Sequence, residues 1–285
     1  MKKYCITLVF IFCACMVKAQ GFHIGVFGGL AAYNGDLVEK IFPKKVTNGA
    51  IGLTVSFEIS DQIMLRAGGT YAVIGGIDRL SDNVDARARN LSFETSITEF
   101  SLLGEYYLLN LNEKIYSPYL FAGAAVFQFN PYVYTGSKQK IFLNPLGTEG
   151  QGLAGYPDRK PYNLTQLAIP FGGGIKLAVT DQLRIGFEGG LRKLFTDYLD
   201  DVSTNYIDET DLLTGKGQLA VDISYRGDEV AGGSLIYPVK GYQRGSPKRK
   251  DIYYFAGIHL TYKLGGGGGG LTGSKNRTGC PVNVY

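Results

Sequence analysis

From residue 22 to residue 264, apolar side chains recur at every second position in eight stretches, the period of a β-strand with two unlike faces. Ile51, Leu53, Val55, Phe57 and Ile59 share one face, opposite Gly52, Thr54, Ser56 and Glu58. Leu167, Ile169, Phe171, Ile175, Leu177 and Val179 oppose Ala168, Gly172, Gly174, Lys176 and Ala178; Leu183, Ile185, Phe187 and Leu191 oppose Arg184, Glu188 and Arg192. Looser alternation covers 22–34, 62–75, 90–109, 117–130 and 252–264. The gaps are short at Ser60-Asp61, Asn110–Ile115 and Thr180-Asp181, and long at 35–48, 76–89, 131–163 and 196–251. An even number of strands with short turns at one end and long loops at the other predicts an all-β fold, a small antiparallel transmembrane β-barrel of about eight strands. The short turns are expected on the periplasmic side.

Charge decides which face meets lipid. A Lys or Arg on the lipid face at mid-membrane costs roughly 2–4 kcal/mol, so Arg66, Lys176, Arg184 and Arg192 are expected inside, with the glycines. Glu58, Glu99, Glu105 and Glu188 share that side and are predicted to neutralise them in a packed lumen. A barrel of this size has room for side chains and none for an open aqueous pore. Pro170 lies inside the sixth strand, where a closed barrel offers no free edge for a residue without an N–H, and a bulge is expected there. The alternative is a soluble, secreted barrel or sandwich. Its solvent face would be rich in Lys, Glu, Thr and Asn, whereas the second faces here are rich in Gly and Ala.

The remaining features place the strands in a chain. Lys2 and Lys3, the apolar run Ile6–Met16 and Val17-Lys18-Ala19 read as a signal peptide over residues 1–19. The run is too short to span a membrane. A lipoprotein reading of Cys13 or Cys15 lacks the usual Leu-x-small pattern ahead of the cysteine. Without the leader, 26 basic residues face 25 acidic ones, so the basic excess is mostly the leader's, and a nucleic-acid-binding domain is not indicated. Of four cysteines only Cys280 stays in the mature chain, which excludes an intramolecular disulfide or a Cys-based metal cluster there. The barrel is assigned to residues 20–264. Six glycines at 265–270 form a flexible linker to a tail, 265–285 in all, whose Cys280-Pro281 is a candidate partner-docking segment on the periplasmic side.

Candidate chemistry is sparse. The acidic run Asp197, Asp200 and Asp201, with Asp208, Glu209 and Asp211 behind it, lacks the spacing of a calcium loop and reads as a solvated, hydrogen-bonded loop. The glycine-rich stretch Pro145–Gly152 has no Gly-Lys-Ser/Thr ending and is not a phosphate loop. His23 and His259 fall on the inward parity of the first and last strands, which meet on closure. Packing inside the lumen is the plainer reading; a His pair serving a hydroxyl in acyl transfer is the alternative. Arg244, Lys248, Arg249 and Lys250 precede the last strand at the outer rim, suited to solvation or to contact with anionic outer-membrane lipid. Gly257-x-x-Leu260-x-Tyr262 is similar to the signal by which outer-membrane barrels are recognised for assembly. No catalytic residue, cofactor or metal is expected.

Several blocks carry a resemblance. Gly28-Gly29 with Tyr33–Leu37, Arg89–Phe93, Pro118–Gly123, Pro145–Gly152, Ile169–Gly172, Thr196–Ser203 and Gln243–Gly245 resemble the uncharacterised-domain family that includes the PorG outer-membrane protein of type IX secretion. They run through nearly the whole mature chain. The resemblance implies a non-enzymatic component of the type IX apparatus in the outer membrane. Its implied role is to anchor or assemble the periplasmic ring, with the ring lipoprotein and its soluble partner as partners. The other class of function open to such a barrel is binding a ligand or partner through its long outer loops.

Overall fold

The computed structural model describes residues 21–38, 45–136, 138–248 and 250–264. Residues 1–20, where a leader is expected, and 265–285, with the glycine run, Cys280 and Pro281, lie outside the described residues, as does Arg249.

Nine antiparallel strands are present: β1 (Phe22–Asn34), β2 (Asn48–Glu58), β3 (Ile63–Ile77), β4 (Ser92–Tyr107), β5 (Tyr116–Tyr134), β6 (Lys140–Phe142), β7 (Thr165–Ala178), β8 (Leu183–Leu194) and β9 (Ile252–Lys263). Eight of them close a barrel, because β1 pairs with both β2 and β9 while β4 pairs with β5. The ninth, β6, pairs only with the tip of β5 and forms a hairpin beyond the barrel wall. The short turns are pinned by the side chain of their first polar residue. Ser60 Oγ accepts from Ile63 N (3.1 Å), Asn110 Oδ1 from Asn112 N (2.9 Å) and Thr180 Oγ1 from Leu183 N (2.9 Å).

The two parities separate as the alternation requires. Ile51 and Leu53 are more than 65% exposed on the outside, whereas Arg66, Glu99, Glu105, Lys176, Arg184 and Arg192 are buried inside. On β8 the outward row runs from Leu183 to Leu191, nine residues that at the usual strand rise and tilt span roughly 20–25 Å, the height of a membrane's apolar band. Phe57, Tyr106, Tyr116 and Tyr262 ring the short-turn end of this band, an aromatic girdle. Among the described residues no helix is long and apolar enough to cross a membrane.

Glycines on the inward face make room for large rings. Gly172 and Gly190 pair across β7 and β8, and a Cβ on either would stand 2.5–2.7 Å from the ring of Phe121. Pro170 is accommodated without the expected bulge. It pairs with Arg192 in unbroken register on β8, while the β5 pairing lapses opposite Ile169 and Pro170 and resumes in the same register at Ala125–Ala168. Losing ladder contacts on one side suffices where the proline's missing donor leaves one neighbour unpaired.

The long loops form an ordered cap. It contains α1 (Val84–Arg89), α2 (Glu209–Lys216) and α3 (Gln218–Ser224), none of them signalled by the alternation. Asp208 caps α2, accepting from Thr210 N (3.0 Å) and Asp211 N (3.3 Å). One apolar cluster continues from the upper lumen into the cap, joining Phe27, Phe127, Phe129 and Tyr253 to Leu37, Leu91, Leu199, Val202 and Ile223.

Candidate functional site

Two polar networks are stacked along the barrel axis, one in the lumen and one in the cap. The lumen network brings together all eight residues assigned to it from strand parity. Near the short-turn end, Glu58 receives Arg184 (3.0 Å) and Lys263 (2.8 Å), with His23 at 3.4 Å. In the middle, Arg66 bridges Glu105 (2.9 Å) and Glu188 (2.7 Å), Lys176 also meets Glu105 (3.3 Å), and Tyr119 donates to Glu188 (2.6 Å). Above them, the Arg192 guanidinium makes a two-point contact with Glu99 (3.1 and 3.3 Å), and Tyr253 donates to the same carboxylate (2.7 Å). Lys263 was not singled out, though its inward parity on the last strand is the signal that would have found it.

His23 and His259 are both buried in the lumen. Arg66 donates to His259 Nδ1 (3.0 Å), which leaves Nε2–H to donate to Thr54 Oγ1 (2.7 Å). In that arrangement the ring gives Thr54 a hydrogen bond rather than taking its proton, so it does not activate a nucleophile.

The cap network lies in loops where alternation carries no information. Its centre is Arg244, which donates to Glu149 (3.0 Å), to the Asp201 carbonyl (2.6 Å) and to the Ser224 carbonyl (3.2 Å). Glu149 also accepts from Ser203 N (2.9 Å), Thr204 N (3.1 Å) and Thr204 Oγ1 (2.6 Å). Asp201, itself in the left-handed region, accepts from Thr148 (2.6 Å) and from Tyr162 (2.7 Å), whose ring stacks on Tyr198 at 4.7 Å. The turns at Gly147, Gly150 and Gly152 all need positive φ, which explains the glycines of 145–152 as the means of carrying Glu149 inward. Asp78 and Arg89 form a second two-point pair (2.7 Å each), and Arg89 also donates to the Arg244 carbonyl.

A carboxyl-rich contact closes the cap onto the barrel. The Tyr33 hydroxyl is within reach of Asp200 and of Asp251 (3.1 Å). With a single proton it donates to one of them, and the other contact requires a protonated carboxyl. Asp36 Oδ2 accepts from Ser246 N (2.8 Å) nearby. Burial, reinforced by the other carboxylates, pushes Asp200 and Asp251 well above the ordinary range. Burial also raises Asp197 to about 7, and Asp201 to about 6 against the opposing pull of Arg244.

Two sequence expectations are corrected here. Asp197, Asp200 and Asp201 are hydrogen-bonded as expected but buried rather than solvated, and Arg244 is sealed inside the cap rather than solvated or in contact with lipid at the outer rim. Ion pairing with Glu149 and Asp201 withdraws Arg244 from water, whereas Asp197 and Asp200 are held by hydrogen bonds, from the Ser203 hydroxyl and from Tyr33 and the Val202 N–H. Only Lys248 and Lys250 of that basic stretch are exposed among the described residues. No group of three or more His, Cys, Asp or Glu among the described residues is arranged to hold a metal.

A family model described as a domain of unknown function, DUF6089, matches residues 2–216. The chain belongs to the DUF6089 family. The match takes in β1 to β8 and the first part of the cap, so this DUF6089 protein carries the eight assigned lumen residues within the matched region, while Arg244, at the centre of the cap network, lies beyond it. No curated protein sequence matches the chain. Among solved structures it is similar to Neisserial surface protein A, NspA (10% identity, TM-score 0.41, covering 86% of this chain and 97% of that one). It is also similar to the N-terminal β-barrel domain of OprF from Pseudomonas aeruginosa (11%, 0.35, 85% and 96%) and to Ail, the attachment invasion locus protein of Yersinia pestis (9%, 0.36, 85% and 99%).

Proposed function

We propose that this protein is a non-enzymatic outer-membrane barrel of the type IX protein secretion apparatus, one that anchors or assembles the periplasmic ring. The observation that carries the mechanical part is the lumen, filled by the Glu58, Glu105 and Glu99 ion-pair layers beneath a packed cap. Such a barrel is a fixed platform rather than a conduit. The secretion assignment is supported by the resemblance of its sequence blocks to the PorG-type family. Five of those blocks meet in the cap, through Tyr33–Asp200, Asp36–Arg89, Arg89–Arg244 and Glu149–Arg244. The proposed partners are the ring lipoprotein and its soluble partner, reached from the short-turn side and through the tail at Cys280 and Pro281.

Crosslinking in cells with a C-terminal tag, followed by mass spectrometry, tests this. Recovery of the ring lipoprotein and its soluble partner is expected, together with loss of cargo from the cell surface on gene deletion. Normal cargo delivery in the deletion strain overturns the assignment. Sidedness is tested by labelling in a Cys280→Ser background. Asp158→Cys, exposed in the cap, is expected to react in intact cells, and Asp61→Cys, exposed in a short turn, only after lysis.

A second reading has one observation in its favour. Leu235 and Ile236 are more than three-quarters exposed in the cap, beside exposed Val239 and Tyr242, which suits a surface that binds a partner outside the cell. Shortening 230–242 would then abolish binding and leave secretion intact.

A further inference from the structure

The rim above β8 and β9 differs from the rest of the long-loop end. Lys193 sits on the lipid-facing parity of β8, two residues beyond Leu191, and its cross-strand neighbours on that face are Ile169 on β7 and Ile252 on β9. Phe195, the next residue outward on the same parity, is more than half exposed. An exposed lysine therefore rises out of an otherwise apolar surface, at the level where the apolar band of β8 ends. Lys250 and Lys248 lie in the loop just before β9, and both are exposed. None of the three lysines makes an ion pair among the described residues; Lys250 donates only to the Pro247 carbonyl (3.3 Å).

The opposite side of the rim is built otherwise. There the outward positions above Phe100 on β4 are Thr98, Ser96 and Glu94, and above Val126 on β5 they are Gln128 and Asn130. Glu94 is already engaged by Tyr132 (3.0 Å). The lysines on that side are differently placed: Lys140 is held over the ring of Tyr132 at 3.5 Å, and Lys45 lines a groove that also contains Glu94.

We propose that Lys193, Lys248 and Lys250 form a docking surface for the phosphate groups of anionic lipids in the leaflet at the long-loop end. The occupant follows from position and charge. The Lys193 stem lies on a lipid-contacting wall, where long side chains extend toward the headgroups, and Lys248 and Lys250 stand in the loop at its upper edge, so that the cations meet phosphate at that depth. Ile169 and Ile252 beside Lys193, with Leu191 and Phe171 below them, offer apolar contact to the acyl chains. The proposal rests on the barrel being membrane-embedded and is independent of the type IX assignment.

The test uses the full mature chain reconstituted in phosphatidylcholine bilayers with trace spin-labelled phosphatidic acid or phosphatidylcholine, read by electron paramagnetic resonance. A motionally restricted lipid component reports embedding itself; its complete absence overturns the membrane reading, and the proposal with it. Given that component, the wild type is expected to favour phosphatidic acid by roughly fivefold, the scale of one lysine near an anionic headgroup, and to lose the preference in high salt. Lys193→Gln/Lys248→Gln/Lys250→Gln is expected to bind both probes equally while keeping its heat-dependent gel shift. The control Lys114→Gln, an exposed lysine in a short turn, is expected to retain the preference. No preference in the wild type, or an undiminished one in the triple variant, overturns the docking surface while leaving the barrel in the membrane.

Discussion

Arg244 and Glu149 lie 95 residues apart in the chain and meet at 3.0 Å in a buried ion pair that ties the last long loop to the loop after β6. The same guanidinium also satisfies two backbone carbonyls, at Asp201 and Ser224, so three cap segments converge on one side chain.

Arg244→Ala is therefore expected to open the cap while the barrel persists. Removing one partner of a buried pair costs about 3–5 kcal/mol, because Glu149 is left charged and uncompensated. Limited proteolysis will show cleavage within 203–246 in the variant under conditions where the wild type is resistant, with the heat-dependent gel shift of the barrel retained. Arg244→Lys is expected to recover only part of this, since an ammonium lacks the planar fork that reaches all three acceptors.

The cap is expected to loosen as pH rises. Asp201 at about 6 and Asp197 at about 7 stand above the roughly 3.9 of an unfolded aspartate, so folding favours their protonated forms. Their stabilising contribution is complete below about pH 4 and is lost as pH climbs through 6 to 7. Hydrogen exchange at Leu199, Val202 and Ser203, corrected for its intrinsic base catalysis, should show weaker protection at pH 8 than at pH 5. Equal protection would mean that the cap does not sense these carboxyls.

In the lumen, Arg66→Ala is expected to lower stability by about 3–5 kcal/mol, chiefly by stranding Glu188. Arg66→Met with Glu188→Gln should recover much of that loss, since Glu105 keeps Lys176. Urea unfolding of the vesicle-reconstituted protein measures both, through the shift in midpoint at constant slope.

The lipid-facing wall gives a depth-dependent expectation. Leu53→Arg, near the middle of the β2 band, should cost about 2–4 kcal/mol, whereas Leu191→Arg at the edge of the β8 band should cost about 0–1 kcal/mol. Similar penalties at the two sites would contradict an apolar band placed as described.

How far the sequence reaches can be judged from Arg192 and Arg244. Arg192 lies in a strand, where a period of two allows only inside or outside, and the cost of a cation in lipid leaves only the inside. The same reasoning places Glu58, Glu99 and Glu105, and with them the barrel wall and its apolar band. Arg244 lies in a loop with no period, where local sequence looks equally fit for solvent. Its burial follows from Glu149, Asp201 and Ser224, which arrive from elsewhere in the chain.

The sequence by itself determined the strands, their two faces and the sign of the charge inside, because side-chain alternation is a local property of extended backbone. The tertiary structure alone decided which charges pair, that Pro170 needs no bulge, and that the loops close into a cap. Those outcomes depend on strand register after closure and on contacts across some 50 to more than 200 residues of chain, such as Thr148 with Asp201 or Tyr33 with Asp251. No local pattern encodes them.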